Sequence, residues 1–210
     1  PEQQIGHCPA DEAGQARALA ERFFGWTGLA TVEEFIQWSV LGKRVVQKAV
    51  SELELVPAAI RGVEGDYLMP EESVDVAVDQ RPEVYLLSAQ DNLLTLHASP
   101  AVLTDPAHHD LELLAMGGRK IPLHKARWVH QRPIFQGGQW IGLWVWDIDT
   151  SEVVVRGFHP LSAETQAALE PSIERVADLI ETQLDGDSKQ NAVDGAPFRR
   201  ARAAYVRAPG

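Results

Sequence analysis

Three amphipathic segments followed by a short apolar hairpin, all within residues 11–70, constrain the fold of this chain more than any other feature. The first segment, residues 11–26, repeats apolar side chains at the three- and four-residue spacing of a helix, and Gly28 ends it. Thr31 and Glu34 have the spacing of a capping box, which predicts that a second helix begins there. The apolar face predicted for that helix consists of Val32, Phe35, Ile36 and Val40.

A third helix is predicted over residues 43–53, after a tight turn at Gly42, and its two faces differ in chemistry. The predicted apolar face consists of Val45, Val46, Ala49, Val50 and Leu53. The opposite face carries cations and amides at helical spacing: Arg44, Gln47, Lys48 and Ser51, with Lys43 at its start. Residues 55–61, a turn at 62–66 and residues 67–69 then predict a β-hairpin.

Three short helices and a hairpin are the layout of a winged helix, whose third helix lies in the DNA major groove when the domain binds DNA. A winged helix that serves only for packing or protein contact has the same layout, and the polar stripe alone favours neither reading.

The rest of the chain predicts a small antiparallel sheet, or partial barrel, closed by a helix. Strands are expected over 84–88, 120–127, 133–135, 140–146 and 153–158, with hairpin turns at 136–139 and 147–151. Residues 70–83 are acidic and bounded by prolines, as in a linker or a short helix between units, and 99–118 are expected to be mostly loop with a possible short helix. Ser162 caps a last helix to about residue 184, in which Pro171 marks a kink or the true start. Its apolar row is Leu169, Ile173, Val176, Ile180 and Leu184.

The fold class expected from these elements is α+β, in three parts. Residues 11–70 are the winged helix, 71–185 the barrel-like domain with its closing helix, and 186–210 a polar and basic tail. Residues 198–207 within that tail carry four arginines and could form a short helix.

The charge of the chain is unevenly distributed. With 19 Lys and Arg against 30 Asp and Glu, the net charge is −11, which argues against coating nucleic acid by bulk electrostatics. Residues 113–146 nevertheless hold five cations and no carboxylate. One explanation is that part of this stretch is buried strand, where charged residues of either sign are scarce. A surface that faces an anion explains the bias at least as well. The five cations are Arg119, Lys120, Lys125, Arg127 and Arg132.

Several classes of protein are excluded or disfavoured. The single cysteine, Cys8, cannot form an internal disulfide or a Cys-rich zinc site, and it favours a reducing, cytoplasmic compartment. No apolar run has the ~18–20 residues that a membrane helix needs. The seven histidines lack metal-ligand spacing, and phosphate-loop and nucleophile motifs are absent from the sequence. We therefore expect no cofactor, no metal and no membrane partner. The first residue is Pro1 and not Met, as in a processed chain, an excised piece or a fragment.

A series of short motifs resembles the C-terminal part of the AlkZ/YcaQ-like winged-helix DNA glycosylases and their DNA-binding relatives. The resemblance spans roughly residues 15–185, and the order of the motifs carries it more than any one of them. The motifs are Phe23-Phe24-Gly25-Trp26-Thr27-Gly28, residues 31–35, Trp38-Ser39, residues 86–91, residues 137–144 and Phe158-His159-Pro160-Leu161.

The resemblance implies tandem winged-helix units and a small β-barrel around a DNA channel, with double-stranded DNA as the partner. In that family, excision is attributed to a Gln-x-Gln or Gln-x-Asp pair in an N-terminal unit, which positions or activates a water. The one such triplet here is Gln183-Leu184-Asp185, at the end of the last helix, where its context is wrong. We therefore assign no catalytic residue and expect a DNA-binding portion of a base-repair factor.

The DNA-binding residues expected on this basis come from three places. The third helix would contact the DNA backbone, the five cations of 113–146 would line the barrel side of the channel, and a polar loop would lie near the lesion. The loop is Gln90-Asp91-Asn92, for which an Asx-type turn between two apolar segments is the alternative interpretation. A transcriptional regulator or protein-interaction module on the same fold is the alternative function.

Overall fold

Helices and antiparallel strands occupy largely separate stretches of the chain, and the α+β class expected from the sequence is confirmed. The computed structural model describes residues 11–75, 83–97, 99–115, 119–126, 132–183 and 195–208. These residues divide into two compact units. The first contains the described residues up to 75 together with 92–97, and the second contains 83–91 and the described residues from 99 onward.

The first unit is built on α1 (Glu12–Thr27), α2 (Val32–Ser39) and α3 (Lys43–Ser51), which share an aromatic core. Phe23, Phe24 and Phe35 are fully buried there, and the Phe23 and Phe24 rings meet edge to face at 5.4 Å between centroids. The sheet of this unit has the antiparallel order β1 (Ala30–Thr31), β3 (Val63–Pro70), β2 (Leu55–Ile60). The three helices and the hairpin therefore follow one another in the order expected.

The predicted capping box forms at the start of α2. The Glu34 N–H donates to the Thr31 hydroxyl at 3.1 Å, and the Thr31 N–H donates to the Glu34 carboxylate at 2.8 Å. Glu34 is buried, and its second carboxylate oxygen lies 3.8 Å from Nδ1 of the buried His97. Residues 92–97, which include the short helix α4 (Asn92–Thr95), thus return to the first unit.

The turn between α2 and α3 differs from the sequence prediction. Val40, expected on the apolar face of α2, is the C-cap residue, with φ 59° and a side chain that is 86% exposed. The Val40 N–H still donates to the Ile36 carbonyl at 3.0 Å, as in a helix, and the left-handed conformation of Val40 then turns the chain out of the helix. Gly42, the expected turn residue, has an ordinary φ of −63°.

Two further details of this unit also correct the prediction. Val45 was placed on the buried face of the third helix but is partly exposed, because Val46, Ala49 and Val50 fill that face of a nine-residue helix. The hairpin turn is shorter than the expected 62–66. The β3 strand already begins at Val63, which pairs with Ile60.

The second unit contains a four-stranded antiparallel sheet packed against a long helix. The strand order is β4 (Val84–Leu86), β7 (Arg132–Gln136), β8 (Gln139–Asp147), β9 (Glu152–Gly157). Gly137 and Gly138 form the predicted turn between β7 and β8, and both have the positive φ that this turn requires. Gly142 of β8 lies opposite Gly157 of β9. A Cβ on Gly142 would come within 2.4 Å of the Arg156 carbonyl oxygen.

The long helix α5 (Ala163–Gln183) runs continuously through Pro171, so that proline is not its start. Ser162 caps it by accepting the Thr165 N–H at 3.0 Å, as expected. Leu169 and Ile180 pack against Trp144 and Trp146 of the sheet. The Ser172 hydroxyl also donates to the Val84 carbonyl at 2.7 Å and ties α5 to the edge strand β4.

Regular structure forms in the segment expected to be mostly loop with a short helix and in the segment expected to be a basic tail or short helix. The described residues 99–115 contain 3₁₀ turns at Pro100–Leu103 and Pro106–His108 and the strand β5 (Glu112–Leu114), which pairs with β6 (Lys120–Pro122). The expected strand 120–127 ends early, in a 3₁₀ turn at Leu123–Lys125. The basic segment near the C-terminus forms α6 (Ala196–Arg207), which packs on β8 and β9. Among the described residues, no helix is both long and apolar enough to cross a membrane.

Candidate nucleic-acid interface

The exposed side of α3 is a continuous polar stripe without a carboxylate. Lys43, Arg44, Gln47 and Lys48 are all exposed, and the nine residues of the helix include no Asp or Glu. Val46, Ala49 and Val50 are buried on the opposite side. The structure therefore brings the four predicted side chains of this helix together on one accessible surface, which we call the α3 stripe.

An open groove of about 550 Å³ lies beside the α3 stripe, between α2, α3 and β3. Lys43 and Gln47 line it from α3, Glu33 lines it from α2, and Asp66 lines it from β3. The cations of the stripe thus have carboxylates at the rim of the groove, which limits how much positive potential it can present.

The cations of the second unit have different surroundings. Arg119 and Lys125 are exposed, whereas the Lys120 ammonium lies 3.4 Å from the Glu112 carboxylate across the β5–β6 pair. The Arg132 guanidinium lies 4.8 Å from the centroid of the Trp144 ring, in cation–π geometry. Arg127 lies outside the described residues.

Gln90 and Asp91 occupy a turn after β4. The Gln90 N–H donates to the Ser88 hydroxyl at 3.2 Å, and the Asp91 N–H donates to the Ser88 carbonyl at the same distance. The Gln90 side chain is exposed and Asp91 is half-buried. This hydrogen bonding is that of the simple turn considered from the sequence.

An arginine–carboxylate network that the sequence reading missed joins α6 to the turn between β8 and β9. Arg200 donates from Nε and Nη2 to both oxygens of Asp149 at 2.8–2.9 Å. Arg207 donates from Nη2 to Asp147 at 2.8 Å and lies 3.6 Å from Glu152. In the sequence, only composition pointed to this network. α6 has four arginines and no acidic residue, and residues 147–151 include two aspartates.

Charge pairing shifts the pKa values of this network. The hydrogen bonds from Arg200 hold the pKa of Asp149 below its usual value, and the same contact raises the pKa of Arg200. Burial acts to raise the pKa of Asp147. Hydrogen bonds from the Asp149 N–H and from Arg207 outweigh that effect and lower it. Both aspartates are therefore held as carboxylates.

Another open groove, of about 1080 Å³, belongs to the second unit. Its wall is mixed in charge, with Lys120 and Arg156 facing Glu112 and Glu170, and the His159 ring at its edge stacks on His108 at 5.4 Å. This mixture favours no single class of ligand. Within the part of the chain that the structure describes, no three His, Cys, Asp or Glu side chains cluster so that they could hold a metal ion.

Comparison with known proteins identifies the family. The model of the family described as DNA glycosylase AlkZ-like matches residues 1–179, most of the chain. The chain belongs to the AlkZ-like DNA glycosylase family. The resemblance carried by the sequence motifs is thereby confirmed, and the protein is related to DNA glycosylases.

A solved relative of this AlkZ-like chain is the DNA glycosylase AlkZ of Streptomyces sahachiroi. The two share 21% sequence identity with a TM-score of 0.56, over 82% of this chain and 44% of the Streptomyces chain. The similarity shows a shared fold, and this chain spans less than half the length of that relative. No curated protein matches the chain significantly.

Proposed function

We propose that this chain binds duplex DNA through the α3 stripe, as the C-terminal portion of a DNA-glycosylase-like base-repair protein. The observation that carries the proposal is the acid-free, exposed row of Lys43, Arg44, Gln47 and Lys48 in a chain of the AlkZ-like family. The order of three helices and a hairpin supports a winged helix, whose third helix faces the duplex.

The contacts proposed here are with phosphates. Lysine and arginine position a protein on the DNA backbone without reading sequence, so binding should show little sequence preference. Because the chain as a whole carries a charge of −11, affinity should be weak at physiological salt. It should also fall steeply as salt rises, because cation–phosphate contacts release counterions from the DNA.

The α3 stripe can be tested by charge reversal. Arg44→Glu combined with Lys48→Glu should weaken duplex binding at least about tenfold and lower the salt slope by about 2, because two phosphate contacts are lost. Both side chains are exposed opposite the buried face of α3, so the fold should persist. Binding is measured by fluorescence anisotropy with a labelled duplex at several salt concentrations.

The matched control is Arg17→Glu combined with Arg22→Glu, which reverses the same charge at two exposed positions of α1. If both pairs of substitutions weaken binding equally, the α3 stripe is not the interface. If charge reversal in α3 leaves the affinity of the folded chain unchanged, the first unit is a packing or protein-contact module.

A second set of phosphate contacts is proposed for the cations of the second unit. Arg119 and Lys125 are exposed and would contribute most, while Lys120 and Arg132 already have partners within the unit. Arg127 was assigned to the same set from the sequence. Gln90 and Asp91 form a polar turn, and we propose no contact of either residue with a base.

We further propose that this chain by itself does not excise bases. Gln183 of the one Gln-x-Asp triplet is exposed at the end of α5, next to the acidic Glu181. The chain should be incubated with a duplex carrying an alkylated purine, and abasic sites should then be cleaved with alkali. Strand breaks above the no-protein control, lost in Gln183→Ala, would show that the triplet is catalytic after all.

A further inference from the structure

α6 concentrates positive charge outside the part of the chain that matches the family model. The match ends at residue 179, whereas α6 spans Ala196–Arg207. The helix carries four arginines and no acidic residue, a net charge of +4 over twelve residues. Its buried side is small and consists of Arg202, Ala203 and Val206.

The two ion pairs of α6 differ in their surroundings. Arg207 pairs with Asp147, whose carboxylate is buried and also accepts the Asp149 N–H at 2.9 Å. That pair fixes both the helix and the turn. Arg200 and Asp149, by contrast, are each about half exposed, at 55% and 51% of the side chain. The Arg200 pair is therefore in contact with water.

Other contacts hold α6 in place independently of Arg200. The Tyr205 hydroxyl donates to the Glu112 carbonyl at 2.6 Å. Arg156 donates to the Tyr205 carbonyl at 2.9 Å and lies 4.3 Å from the centroid of its ring. The Arg200 side chain can consequently change partner while the helix stays docked.

We propose that Arg200 is a DNA phosphate contact that Asp149 holds in place until a duplex is bound. Arg200 offers Asp149 two parallel N–H donors, and the same fork fits two oxygens of a phosphate. An exposed ion pair contributes little net stability, so a phosphate can replace the carboxylate at small cost. The proposal rests on the proposed DNA binding and adds one phosphate contact from α6 of the second unit.

The first test removes the competing carboxylate. Asp149→Asn should tighten duplex binding about threefold more than Asp178→Asn, because only the former releases Arg200 from an ion pair. Asp178 is an exposed aspartate of α5, and its replacement changes the net charge equally. Unfolding curves for both variants verify that the fold is retained.

The second test removes the arginine. Arg200→Gln should weaken binding about threefold and lower the salt slope by about 0.9, the value for one phosphate contact. Adding Arg200→Gln to Asp149→Asn should abolish the gain. If Asp149→Asn and Asp178→Asn behave alike, or if the gain survives without Arg200, the proposal is wrong.

The same measurements distinguish failure of this proposal from failure of the proposed DNA binding. If the unaltered chain does not bind duplex, DNA binding itself fails. If it binds, and loses affinity on charge reversal of the α3 stripe but not in Arg200→Gln, DNA binding stands and only the role of α6 is overturned.

Discussion

At the scale of single residues, Val40 has a backbone conformation that its side chain disfavours. A β-branched residue with φ 59° carries a steric cost of roughly 1–2 kcal/mol, and an 86% exposed side chain recovers little of it by burial. Val40→Asn should therefore raise the free energy of unfolding by about 1 kcal/mol, as measured by urea denaturation, since asparagine tolerates this conformation.

The control for Val40 is Val74→Asn. Val74 is also exposed, but its φ of −61° is ordinary. The same substitution there relieves no strain and should not stabilise the chain. Equal effects at both positions would mean that the backbone of Val40 carries no cost.

Tyr67 supplies a pH dependence at the same scale. Burial of its hydroxyl, and secondarily the Glu34 carboxylate, raise the pKa of Tyr67 above its usual value near 10. The folded chain therefore holds this proton more tightly than the unfolded chain does. The resulting stability is complete below pH 10 and is lost as the pH rises through the higher folded-state pKa.

Tyr67→Phe should remove that alkaline loss. The free energy of unfolding is measured from pH 8 to 11.5 for the original chain and the variant. Relative to the variant, the original chain should lose free energy of unfolding only above pH 10. Tyr85→Phe, at an exposed ring, serves as the control and should keep the original dependence. A difference that is constant across the range would contradict the assignment.

At the scale of elements, sequence patterns predict what is local and miss what is distant. The α3 stripe could be predicted because its four polar residues lie on one helix, where spacing alone decides the face. The capping box at Thr31 and the glycine turn at 137–138 are also read from neighbouring residues.

The errors arise where tertiary contacts decide. β5 is three residues long and exists because it pairs with β6, so the loop-like composition of 99–118 concealed it. Arg200 and Asp149 are 51 residues apart, and no periodicity relates them. The error at Val40 is local and of another kind: helical spacing does not show where a helix stops, which here is set by the left-handed backbone of Val40 itself.

At the scale of the whole molecule, the chain enters the second unit and returns to the first before leaving it again. Residues 92–97 belong to the first unit, and Leu96 lies in the same core cluster as Phe23, Phe24 and Phe35. Nothing in the composition of this segment indicates the return. A core that includes a side chain from a distant segment should lose stability when that side chain is shortened.

Leu96→Ala should therefore destabilise the three-helix unit by about 2 kcal/mol, near the lower end for a core leucine because the side chain is 9% exposed. The measurement is hydrogen exchange of the α1 and α3 amides, which should accelerate. Leu123→Ala, at a fully buried leucine of the second unit, is the matched control and should act first on β6. If Leu96→Ala leaves α1 and α3 as protected as before, or if Leu123→Ala accelerates them equally, the returning segment does not specifically stabilise this core.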